Sequence, residues 1–146
     1  MVTATVTMPL LLNPKSEARN SKQIQMTKAQ NSKQYDLEDR TLAFAKAVRA
    51  FVKRLPKTTA NIEDGKQVIK ASGSVGANYI EANEALSKKD FTMRIKICRK
   101  EAKESRYWLR LIDSQENAGL ERERGDLEKE ATELTNIFGA ILRKSE

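Results

Sequence analysis

The chain has 146 residues, a formal net charge of +7, one Cys, three Pro and no His. That length fits a single ordinary domain; the missing His excludes Ser-His and Cys-His triads and any His-ligated metal site. One Cys can form neither an intramolecular disulfide nor a thiolate zinc cluster, so the chain reads as intracellular and cytoplasmic, and no apolar run approaches the ~20 residues of a membrane span.

Residues 1–34 contain Pro9 and Pro14 and are rich in Ser, Thr, Asn and Gln. They read as a disordered tail. The short apolar piece Met8–Leu12 is broken by Pro9 and has no basic segment before it, which argues against a secretory signal. An alternative start at Met26 would shorten the tail. Residues 35–146 read as four helices in succession. The first starts near Asp36, a suitable N-cap, and repeats Leu37, Thr41, Phe44, Val48, Phe51 and Leu55 at three- and four-residue steps until Pro56 stops it.

The second helix is expected from about Asn61 to Glu84, with two stripes. Ile62, Ile69, Gly73, Gly76 and Ile80 form one, and Val68, Ser72, Val75 and Tyr79 the other. A surface helix of a lone bundle needs a single stripe, so the second implies further covering. The centre, Ala71–Ala77, is nearly all small residues; its glycines cost helix propensity, which close approach of another helix would offset. The third helix opens with Ser87-x-x-Asp90, a capping box in its Asp form, and carries Phe91, Ile95, Cys98, Ala102, Ser105, Leu109 and Ile112 as a heptad-type seam. Asn117-Ala118-Gly119 reads as its stop, Gly119 being suited to a left-handed cap. A fourth helix repeats the seam with Leu120, Arg124, Leu127, Ala131, Leu134, Phe138 and Ile141. Short connections between long amphipathic helices predict an all-α, antiparallel up-and-down four-helix bundle.

Little chemistry is on offer. Cys98 falls on a seam, where a free Cys acts as a small hydrophobe. The pairs Glu81/Glu84 and Glu101/Glu104 are the remaining acid–base candidates, but carboxylates three apart on a helix are common and a slim bundle lacks a substrate cleft. No phosphate-binding loop or dinucleotide fingerprint occurs. Carboxylate-bridged metal bundles need Glu-x-x-His repeats and inward Glu residues, which the two later seams lack, so neither metal nor cofactor is expected.

Charge is more informative. Residues 88–110 carry nine Lys or Arg against three acids, and Lys96, Arg99, Lys103, Arg106 and Arg110 fall on one side of helix three. Lys46, Arg49 and Lys53 repeat the spacing on helix one. From Leu120 onward there are seven acids against five bases. The basic stripes read equally as a solvated face or as a footprint for nucleic-acid phosphate, without sequence specificity. The tail holds +4 of the net charge, leaving +3 for the bundle, so distribution counts for more than the total. The other flank of helix three carries Ile97, Glu101, Glu104 and Trp108. Two apolar residues around two carboxylates point to a covered surface, and Trp is a frequent interface anchor.

The run Ser72-Gly73-Ser74-Val75-Gly76-Ala77-Asn78-Tyr79, followed by Glu81-Ala82, resembles the central helix of the bacterial four-helix bundle family of 23S rRNA intervening-sequence proteins. Tyr35-Asp36-Leu37-Glu38, Leu55-Pro56-Lys57-Thr58, Ser87-Lys88-Lys89-Asp90-Phe91 and Lys100-Glu101-Ala102-x-Glu104-Ser105-x-Tyr107-Trp108-Leu109 agree with it in order and spacing. Many relatives have Pro in place of Gly76 and Gly in place of Ala82. The resemblance implies a small up-and-down bundle assembled as a ring-like homopentamer, with no enzymatic activity. A related branch, the accessory proteins of diversity-generating retroelements, implies engagement of nucleic acid and a protein partner. At the matching positions Asn78, Glu81, Glu101 and Glu104 are expected to act as polar groups at helix or subunit contacts. The expectation is thus a non-enzymatic homo-oligomer binding RNA or DNA; a scaffold for another protein, without nucleic-acid contact, is the alternative.

Overall fold

The computed structural model describes residues 22–146, with side chains from Leu37 onward. Four α-helices account for nearly all of them: α1 Lys22–Lys53, α2 Thr59–Asn83, α3 Lys88–Leu111 and α4 Ala118–Ser145. No strand occurs among the described residues. Helix α1 starts well upstream of Asp36, so segment 22–34, expected to belong to the tail, is helical backbone. The reason is local: Lys, Gln, Met and Ala in that segment are good helix formers, and no Pro or Gly interrupts them before Pro56. The rest of the expected tail, residues 1–21, lies outside the described residues.

The seams read from the sequence form the core. Thr41, Phe44, Val48, Phe51 and Leu55 are buried, with Leu37 packed against them. Of the two stripes on α2, Val68, Ser72, Val75 and Tyr79 face the core, whereas Ile62 and Ile80 remain exposed, Ile80 by 52%. Ile95, Cys98, Ala102, Ser105, Leu109 and Ile112 bury the inner face of α3. Leu120, Leu127, Ala131, Leu134 and Phe138 do the same for α4, which closes on buried Leu142 while Ile141 is half-covered. Tyr79 and Phe138 meet with ring centroids 5.8 Å apart.

The small residues of α2 admit α1. A Cβ on Gly76 would lie 2.9 Å from Thr41 Oγ1 and 3.2 Å from Thr41 Cβ, and one on Gly65 would lie 2.9 Å from Val52 Cγ1. A side chain at Gly76 would force the helices apart and one at Gly65 would displace Val52; the close approach offsets the lost propensity. Contacts between helices pair their ends in order. Glu38 meets Asn83 and Gly65 meets Val52; Arg94 meets Asn78 and Asp113 meets Asn61; Arg40 meets Glu130 and Arg54 meets Glu123. Helix α2 packs on α1 and α3, and α4 packs on α3 and α1, which leaves α1 and α3 across the core from each other.

The connections are tied by side chains. Thr58 caps α2 and Ser87 caps α3, accepting from the amides of Asn61 and Asp90 respectively. Asn61, 2% exposed, donates to the carbonyls of Pro56 and Asp113 at 3.1 and 2.8 Å and accepts from the Asp113 amide at 3.0 Å. The expected stop at Gly119 is not where the chain turns. Helix α3 ends at Leu111; Gln115 and Glu116 take the left-handed conformation, with φ of 54° and 64°, and Gly119 is helical. Asp113 Oδ1 accepts from the Gln115 amide at 2.8 Å, which fixes the turn without glycine. Asn117 then caps α4 through the Leu120 amide. Arg124, expected on the seam, instead reaches the Ile112 carbonyl and Glu121 across this turn. Glu121 also accepts from the Ser114 hydroxyl at 2.6 Å, and chiefly for that reason its carboxyl titrates below the ordinary range.

Candidate nucleic-acid interface

With its apolar seam turned inward, α3 must present the residues at 96, 99, 103, 106 and 110 along one flank. Lys96, Arg99, Lys103, Arg106 and Arg110 are all exposed. None of them has a carboxylate within 4 Å among the described residues. The stem of Arg99 fixes which flank this is: its Cδ passes 3.9 Å from the point where a Cβ on Gly139 would stand, so the row borders α4.

Lys46, Arg49 and Lys53 on α1 are likewise exposed, but they do not extend that row. Arg49 lies over Gly73 of α2, with Nη2 3.4 Å from that residue's would-be Cβ, and donates to the Ala45 carbonyl at 3.3 Å. The two basic sets therefore occupy helices on opposite sides of the core. Other cations of α1 are committed to the fold. Arg40 donates through Nε and Nη2 to Glu130 at 2.7 and 2.8 Å and through Nη2 to Glu133 at 2.7 Å. The hydrogen bonds to Glu130 above all raise the guanidinium pKa still further. Arg54 pairs with Glu123. Glu123, Glu130 and Glu133 of α4 are thus engaged with α1.

The opposite flank of α3 borders α2. Arg94 Nη1 donates to Asn78 Oδ1 at 3.0 Å, and Asn78 Nδ2 donates to the Ser74 carbonyl at 2.9 Å. From Arg94, helical steps lead to Ile97, Glu101, Glu104 and Trp108. Ile97 and Trp108 are half-buried, Trp108 against the core and edge-on to Tyr107 at 5.1 Å between centroids. Glu101 is half-buried beside Lys100 at 3.6 Å, whereas Glu104 and Glu81 are exposed, Glu81 on α2. Met93, Tyr107 and Leu111 are exposed by 47%, 57% and 48%; Tyr107 and Leu111 stand a helical step apart beside Trp108, and Met93 lies about four turns away toward the start of α3. Spacing does not single out Met93, Leu111 or Arg94, and it offers Asn61 only as the start of α2; the partners of Arg94 and Asn61 lie on other segments of the chain.

Cys98 is fully buried, and burial pushes its thiol up to about 12, so it is protonated at neutral pH and no nucleophile. No group of three or more His, Cys, Asp or Glu side chains among the described residues could hold a metal ion. No described helix is long and apolar enough to cross a membrane.

The family model of the 23S rRNA-intervening sequence protein matches residues 33–140, which takes in α2 and α3 whole, α1 from residue 33 and α4 up to residue 140. The chain belongs to that family. A solved structure agrees: a protein of unknown function from the S23 ribosomal protein family of Bacteroides thetaiotaomicron VPI-5482 is 30% identical, with a TM-score of 0.65 over 76% of this chain and 98% of that one. The curated proteins contain no match. As a member of the 23S rRNA intervening-sequence family, the chain carries the α2 and α3 motifs within the matched region: Ser72–Tyr79 at the α1–α2 contact and Lys100–Leu109 between the basic and apolar flanks.

Proposed function

We propose that this chain is a non-enzymatic, cytoplasmic, homo-oligomeric bundle that binds RNA or DNA phosphate through α3. The observation that carries the reading is the row Lys96, Arg99, Lys103, Arg106 and Arg110: five exposed cations in helical register, without a carboxylate within 4 Å among the described residues. Arg40, Arg54 and Arg124 find carboxylates; a row of cations that finds none is a site for external anions. The family name makes ribosomal RNA the first probe to try. The absence of aromatic side chains from the row favours backbone contact over base reading. Lys46, Arg49 and Lys53 form a second, separate basic surface in this reading.

The architecture proposed is antiparallel and up-and-down, supported by the inverse order of contacts between α1 and α2, α2 and α3, and α1 and α4. Assembly into a homopentameric ring is supported by the family resemblance and by apolar residues left uncovered on α2 and α3. Ile97, Glu101, Glu104 and Trp108, with Asn78 and Glu81 on α2, form the proposed subunit contact. The exposed Met93, Tyr107 and Leu111 favour one second reading, a scaffold for another protein, because they exceed what the core uses.

The test is titration of labelled RNA at several salt concentrations. The logarithm of affinity should fall linearly with the logarithm of salt, and reversal of Arg99, Lys103 and Arg106 to Glu should weaken unrelated sequences about equally. Unchanged binding by that triple variant rejects the surface, and no retention of RNA at moderate salt favours the scaffold. Light scattering that returns a monomer at micromolar concentration rejects the assembly.

A further inference from the structure

Gly139 lies inside α4, fully buried, at the α3–α4 groove. Two arginines reach the point where its Cβ would stand. Arg143, one turn on in the same helix, brings Nη1 to 3.5 Å, and Arg99 of α3 brings Cδ to 3.9 Å. Those are ordinary van der Waals distances. Alanine would fit, so packing alone does not require glycine here, unlike Gly76 against Thr41. The convergence of the arginines is what sets this position apart. Long helical side chains lean back toward the N-terminus, so Arg143 covers the turn before its own. Neither Arg99 nor Arg143 has a carboxylate within 4 Å among the described residues. The charged end of Arg143 and the stem of Arg99 thus share one groove, and an anion seated there has both guanidinium groups within reach as donors. Guanidinium groups suit phosphate oxygens for this purpose, having planar forks of N–H donors that engage two oxygens at once.

We propose that the α3–α4 groove at Gly139 seats one phosphodiester group of a bound nucleic-acid strand, clamped between Arg99 and Arg143. The proposal rests on the nucleic-acid reading and adds to it a residue from α4, a helix whose charge is acidic overall. Lys96 and Lys103, a helical step to either side of Arg99, serve the phosphates flanking the clamped one.

The experiment is fluorescence anisotropy with a labelled single-stranded RNA of about 20 nucleotides, read as affinity and as salt slope. Arg143→Gln should lower affinity several-fold for every sequence tried and reduce the slope by about 0.7, the loss of one phosphate contact. Lys129→Gln, exposed elsewhere on α4, should change neither. Because both arginines hold one phosphate, Arg99→Gln and Arg143→Gln combined should lose less than the product of the separate losses. Unchanged binding by a folded Arg143→Gln protein, alongside loss in the Arg99, Lys103 and Arg106 reversal, overturns the clamp and leaves the wider reading standing. Fully multiplicative losses also overturn it, since they assign the arginines to separate contacts. If the triple reversal binds normally, the surface and the clamp fail together.

Discussion

Helices α1 and α3 both carry arginines beside α4, and α4 treats them in opposite ways. Toward α1 it offers Glu123, Glu130 and Glu133, which hold Arg54 and Arg40. Toward α3 it offers Gly139 and Arg143, and Arg99 there has no acidic partner among the described residues. One helix thus sorts the positive charge of the bundle into a part that holds the fold and a part that faces outward. Counting acids and bases along α4 hides this, because the difference lies between its sides.

The comparison can be broken most severely where α1 is packed closest. Gly76→Ala should cost about 1–3 kcal/mol in chemical denaturation, because Thr41 is buried and its rigid Cβ cannot yield as a long side chain would. Gly65→Ala should cost less, since half-buried Val52 has room to shift. Arg40→Ala should lose about 1–2 kcal/mol, a figure discounted because the pair is partly exposed and salt-screened. A smaller change of opposite sign is expected at Gly125 of α4, whose would-be Cβ meets nothing within 4 Å: alanine there should stabilise by up to about 1 kcal/mol. The smallest effect belongs to α3, where Arg106→Gln should leave stability within about 0.5 kcal/mol while weakening RNA binding. A large loss of stability in that variant would erase the distinction between the two helices.

The inner face of α3 makes a pH prediction. Folding raises the Cys98 thiol from 9.0 to about 12, because burial disfavours the thiolate. The unfolded chain therefore ionises first, so this contribution to stability is intact below pH 9 and is lost as pH rises toward 12. Cys98→Ala should flatten that part of a stability–pH curve. At pH 8 a thiol reagent should modify the native protein only as fast as it opens.

The seams of the bundle were legible because burial follows the helical period and few residues interrupt it. What escaped sequence reading depends on residues far apart in the chain. Arg40 and Glu130 are separated by 90 positions, and nothing near either announces the other. Composition places the turn before α4 at Gly119; the Asp113 carboxylate instead braces a turn in which Gln115 and Glu116 adopt positive φ. The favourable N-cap at Asp36 predicts a start for α1 there, but no Pro or Gly stands between Lys22 and Asp36 and the helix begins at Lys22. On the candidate surface, the α3 row was readable from spacing alone. Arg143 was not, since its position beside Arg99 exists only once α3 and α4 pack.

Asn61 has a consequence for how precisely two smooth helices can be aligned. The middle of α2 is small residues, which offer little resistance to sliding along a neighbour by one turn, about 5.4 Å. Such a slip would strip Asn61 of both bonds to Asp113, while its bond to Pro56 travelled with it. A buried amide that keeps one bond of three, its oxygen unpaired, is costly on the scale of a whole domain's stability. One polar side chain at the end of a sliding joint therefore acts as a detent, letting α2 and α3 seat in a single notch.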